Sequence, residues 1–115
     1  MQEIIIPLDW EHLNDLLEYI DDRLTRSGFP TILKMRAQMV VEELFQALMQ
    51  TDDVERTKVR CTQPNPKTIL LQYRSPKGAV APDVSMIEML ISAGLTYGVK
   101  VQFAEASCTL TVGEK

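Results

Sequence analysis

The sequence predicts an α+β fold, a two-layer sandwich with three helices on one face of a mixed, mostly antiparallel five-stranded sheet in the order β-α-α-β-β-α-β-β. Three observations carry this expectation. Strand-like runs occur in pairs in the C-terminal two-thirds, at 55–63 with 67–74 and at 97–104 with 107–113. Segments whose apolar residues recur every three or four positions precede and separate those pairs. Between the first two runs stands Pro64-Asn65-Pro66, where proline fixes φ and asparagine tolerates unusual backbone angles, so the runs form a hairpin.

Glu3 to Leu8 reads as the first strand, because Ile4, Ile5 and Ile6 are β-branched and stiff at χ1. Pro7 has no amide to donate, so this strand should lie at a sheet edge or end there. Asp9 is positioned to cap a helix from Trp10 to about Thr25, with Leu13, Leu16, Leu17, Ile20 and Leu24 forming one stripe. Gly28 suits the end of that helix, and Phe29-Pro30 restarts the chain. The second helix runs from about Thr31 to Gln50 and is apolar over more than one stripe, so packing is expected on both sides.

In the first hairpin Val59 and Cys61 alternate with polar residues. Ile69, Leu70, Leu71 and Tyr73 make the next strand more apolar and more central. A loop from Ser75 to Pro82 leads to Asp83, a capping candidate for a third helix from about Val84 to Ala93, expected to be largely buried. Alternation of Val99, Val101 and Phe103, then of Cys108, Leu110 and Val112, marks the closing hairpin. If the helices cover one sheet face, the other must be polar or covered by a partner.

A chain of 115 residues suits one domain, spanning 1–115. Its net charge of −4 argues against nucleic acid or an anionic membrane as partner, since both draw on clustered Lys and Arg. The N-terminal segment MQEIIIPLDW lacks the basic and apolar regions of a signal peptide, and no window reaches transmembrane length, which points to the cytoplasm. Cys61 and Cys108 form no CxxC motif and read as small buried hydrophobes. His12, the single histidine, reads as a solvated or capping residue, and the methionines of helices two and three as core filling.

Glu42 and Gln46 are the candidate site. They lie four apart in the segment EELFQA, on one face of an otherwise greasy helix. That segment, with the element order, resembles the histidine-kinase-like (GHKL) ATPase superfamily, nearest to the bacterial anti-sigma factor serine/threonine kinases. In that family a Glu on the second helix polarises the attacking group, and an Asn four residues later, followed by Ala, binds Mg²⁺ on ATP. The resemblance places Glu42 at the catalytic position and Gln46, followed by Ala47, at the Mg²⁺ position.

The departures concern the rest of the nucleotide site. Gln46 is one methylene longer than Asn. The stretch from Tyr73 to Gly78 lacks the Asp of the family's Asp-x-Gly motif, leaving Asp83 as the only candidate for the adenine contact. Only Ala79 to Pro82 separates Gly78 from the third helix, so the lid over the phosphates is missing. The resemblance therefore implies an anti-sigma factor-like regulator acting by protein contact, with an eroded ATP site. Its partner would be a sigma factor, an anti-sigma antagonist or a second copy in a homodimer formed through the open sheet face. The rivals are an active Mg-ATP-dependent serine/threonine kinase using Glu42, Gln46 and Asp83, and an unrelated α+β dimerisation module without catalysis.

Overall fold

The computed structural model describes residues 3–50, 58–74 and 82–113. Its elements follow the expected order: β1 (Glu3–Pro7), α1 (Trp10–Arg26), α2 (Thr31–Met49), β2 (Lys58–Asn65), β3 (Thr68–Arg74), α3 (Ser85–Ser92), β4 (Val99–Ala104) and β5 (Ser107–Val112). The polar break at 51–53, the beginning of the expected strand at Glu55 and the loop segment 75–81, with Lys77-Gly78, lie outside the described residues.

The strands form one sheet in the order β1-β2-β3-β5-β4. All four neighbouring pairs are antiparallel. Pro7 lies on edge strand β1, where its missing amide costs no ladder bond. The more apolar β3 is central.

Register sets which residues meet the helices. Ile4, Cys61, Leu71, Cys108 and Phe103 form one row across all five strands. Ile69, Leu110 and Val101 form another row, and Ile6, Val59 and Tyr73 a third. These rows supply the sheet half of the core. The opposite face carries Lys58, Arg60, Gln72, Lys100 and Gln102, all exposed, together with exposed Ile5 and half-buried Leu70. It is therefore the polar alternative foreseen for that face. There Arg60 pairs with Glu3 at 2.6 Å, an exposed bridge of small stabilising value.

Leu71 stands between the two cysteines, which places Cys61 and Cys108 two strand spacings apart, about 10 Å. That exceeds the reach of a disulfide. Both thiols are buried, and burial pushes each up to about 12, because the thiolate loses its water. They are core hydrophobes.

Helix α1 buries Leu13, Leu16, Ile20 and Leu24 along one stripe. Asp9 caps it as expected: Oδ1 accepts from the His12 backbone N–H at 2.9 Å and from His12 Nδ1 at 2.6 Å. A carboxylate only accepts, so the proton resides on Nδ1. At the other end Gly28, at φ +85°, donates to the Thr25 carbonyl while Phe29 donates to that of Leu24, a Schellman closure that requires the left-handed conformation.

The Asp9–His12 contact gives a pH dependence of known sign. The hydrogen bond from His12 holds the Asp9 carboxyl below its ordinary 3.8, and the same bond raises His12 above its ordinary 6.5. Asp9's contribution is present above its ordinary value and is lost as pH falls through its folded one. His12's contribution is complete below 6.5 and is lost as pH rises through its raised folded value. The melting temperature should therefore decline as pH rises across the neutral range, by a component that His12→Ala removes. Thermal scans between about pH 5 and 8 check this, and a variant profile parallel to the parent's would contradict it.

Helix α2 is central to the helical layer. Its buried residues are Ala37, Val40, Val41, Leu44, Phe45 and Leu48. Helix α1 packs on one flank, where Gln38 Nε2 donates to the Leu17 carbonyl at 2.9 Å and Lys34 reaches Asp21 at 3.3 Å. The segment after α3 meets another side, where Arg36 donates to the Tyr97 carbonyl at 2.9 Å.

Two expectations are corrected here. Helix α3 is not largely buried: only Ile87 is, and Met86, Met89 and Ile91 are exposed. The eight-residue α3 packs beside α2 and turns only one narrow edge inward. Nor do the methionines fill the core. Met35, Met86 and Met89 are more than half exposed, and Met39 and Met49 are half-buried.

Candidate functional site

Glu42 and Gln46 lie one turn apart on α2, as their spacing requires. Their face is the one turned away from the core. Glu42 is exposed and Gln46 half-buried, and neither side chain has a hydrogen-bond or ion-pair partner among the described residues. Asp83 precedes α3 and is exposed. Its Oδ1 accepts from the Ser85 backbone N–H at 3.0 Å and from the Ser85 hydroxyl. These bonds hold the Asp83 carboxyl below the usual carboxylate range. Asp83 thus closes a local turn at the start of α3, near its expected capping role.

A Mg-ATP site asks for more than Glu42, Gln46 and Asp83 supply among the described residues. Magnesium takes six oxygens in near-octahedral geometry. Glu42 and Gln46 offer two side chains from one helix, whereas small-molecule sites are concave and gather groups from several directions. Asp83 Oδ1 is engaged by Ser85. A cleft of about 310 Å³ is lined by Lys67, Tyr97, Gly98, Lys100, Thr111 and Gly113, and a groove of about 260 Å³ by Asn14, Leu17, Glu18, Asp21 and Gln38. None of Glu42, Gln46 and Asp83 lines either one. Among the described residues, no group of three His, Cys, Asp or Glu gathers.

Glu42 and Gln46 share a stripe of α2 with large apolar side chains. Ile32, Met35, Met39, Glu42, Gln46 and Met49 recur at steps of three, four, three, four and three along α2. That spacing draws one straight stripe, on which Ile32, Met35 and Glu42 are exposed, Met39 and Gln46 are half-buried, and Met49 at the end packs against the core. Ile32 is 49% and Met35 55% exposed. Nearby, α3 presents Met86 and Met89, and the turn after it presents Leu95 and Tyr97, the latter 77% exposed. The Arg36 guanidinium lies 5.9 Å from the Tyr97 ring centre, which ties this turn to α2.

Packing was expected on both sides of α2, which left no outer apolar stripe in view. The signal was present as two interleaved three-four stripes, Ala37-Val41-Leu44-Leu48 and Ile32-Met35-Met39-Glu42-Gln46-Met49. Only the second contains charged or amide residues, and it is the one that faces outward.

No protein-family model matches the chain, and no curated protein matches it. Among the described residues no helix is long and apolar enough to cross a membrane.

Proposed function

We propose that this chain is a cytoplasmic regulatory protein that acts by protein–protein contact in the manner of an anti-sigma factor, with no dependence on ATP. The observation that carries the reading is the outer face of the helical layer. Ile32 and Met35 stand exposed on the stripe of α2 that carries the two residues a kinase of this type would devote to catalysis and Mg²⁺, and Met86, Met89, Leu95 and Tyr97 are exposed on α3 and the turn after it. Exposed contiguous apolar surface on a small domain marks a contact site, and methionine suits adaptable contact because its chain is unbranched and polarisable. The family resemblance of the element order and of Glu42, Gln46 and Ala47 supports a sigma factor or an anti-sigma antagonist as the partner class. The polar open face of the sheet favours the helical side as the contact surface.

Thermal melting in the presence and absence of millimolar Mg-ATP tests this reading. The midpoint is expected to stay where it is. A ligand at about 100 times its Kd would stabilise the fold by about 2.7 kcal/mol and raise the midpoint visibly. A rise that disappears in Glu42→Ala or Gln46→Ala would replace the contact reading by the kinase reading.

A further inference from the structure

We infer that the outer stripe of α2 is a self-docking seam, along which two copies of this chain pair with their α2 helices antiparallel. This rests on the reading of the helical face as a protein-contact surface, and it names the occupant. Three features select a second copy.

The first is spacing. Ile32, Met35, Met39, Glu42, Gln46 and Met49 repeat the three-four rhythm over almost the whole length of a 19-residue helix. A stripe of that rhythm is the seam by which helices pack lengthwise on one another, each side chain seated between those of the facing helix. In a two-fold pairing the same patch serves both sides, so one such stripe is sufficient.

The second is charge. Arg36 lies in the N-terminal half of α2, and Glu42 and Glu43 follow in its C-terminal half. This is the reverse of what the helix dipole favours, so the dipole does not account for it. An antiparallel pairing centred on Met39 sets Arg36 of each copy beside Glu42 and Glu43 of the other. A parallel pairing would set like charges together. Arg36 forms no ion pair among the described residues and uses one hydrogen bond, to Tyr97, so donors remain.

The third is area. Ile32, Met35, Met86, Met89, Leu95 and Tyr97 are each about half exposed or more. At roughly 100 Å² each they present about 600–700 Å², near the ~800 Å² per partner of a standard interface and at the upper end of the largest patch a typical monomer leaves bare. Helix α3, lying beside α2, would flank the seam with Met86 and Met89.

Sedimentation of the full chain from about 1 to 200 µM tests the pairing, a range that brackets micromolar association. The expected result is a monomer–dimer equilibrium, weakened at least tenfold by Met35→Glu and by Glu42→Lys, with unchanged circular dichroism because both side chains are exposed. Met39→Cys should crosslink with its counterpart under mild copper-phenanthroline oxidation, which removes two electrons and two protons as the disulfide forms. Ile32→Cys should not, since antiparallel helices hold that position at opposite ends. The buried Cys61 and Cys108 serve as an internal control.

A chain that stays monomeric throughout overturns the inference, as does a dimer indifferent to Met35→Glu or one that crosslinks through Ile32→Cys. Each of these outcomes leaves the ATP-independent contact reading standing, because that reading falls only to a nucleotide response.

Discussion

Replacing Phe45 with alanine should destabilise the fold by about 3–5 kcal/mol. Phe45 belongs to the inner stripe of α2 and is 1% exposed, the largest of the fully buried side chains. Its removal forfeits the transfer of an aromatic ring out of water and leaves a cavity that the packed neighbours only partly fill. A domain of this size has a total stability of about 5–15 kcal/mol, so the variant would lie close to the unfolding threshold. Urea titration checks this: the midpoint should fall markedly with little change in slope, because the surface exposed on unfolding is nearly the same. A loss under about 1 kcal/mol would mean that the site is looser than its burial states.

Gly98→Ala should cost about 1–3 kcal/mol by two separable routes. Gly98 has φ +87°, where a side chain carries a conformational penalty. A Cβ placed there would also lie 2.5 Å from Leu33 Cδ2. Leu33 belongs to α2, so the close approach is what lets the segment after α3 lie against that helix. The atom met is the end of a flexible side chain, which can rotate away at some loss of packing. A double variant with Leu33→Ala separates the routes. It should recover the steric part and leave about 1 kcal/mol of backbone penalty. If Gly98→Ala melts like the parent, both parts of this account fail.

Most of the architecture was legible because the two periodicities are unambiguous where one face is buried. Leu13, Leu16, Ile20 and Leu24 could belong only to a helix stripe, and Cys108, Leu110 and Val112 only to a strand face. The caps were legible for a similar reason. Asp9 and Gly28 are residue types with one favoured place each at a helix end. Hairpin register, including the row that separates the cysteines, was not legible, because alternation fixes a face and not a partner.

The surroundings of the candidate residues were not legible for a different reason. Composition says how apolar a helix is, and only its neighbours say which side is covered. In α2 the covered arc is occupied by Val, Leu, Phe and Ala, while Ile32, Met35 and Met39, equally apolar by composition, face out. The same confusion made α3 look like a core helix. Spacing put Glu42 and Gln46 on one face of α2, and it could not show that this face is turned away from the core.

The position of β1 has a consequence for assembly. The β2–β3 and β4–β5 pairs close through turns of two residues each, but β1 reaches its only neighbour, β2, across the whole of α1 and α2. Closing a loop of about 50 residues costs roughly 3 kcal/mol more chain entropy than closing a two-residue hairpin turn. That cost is repaid only when α1 and α2 lie down on the sheet. Short-range hairpins can form without the helices, but the first strand cannot hold its place without them, so its attachment reports completion of the two-layer core.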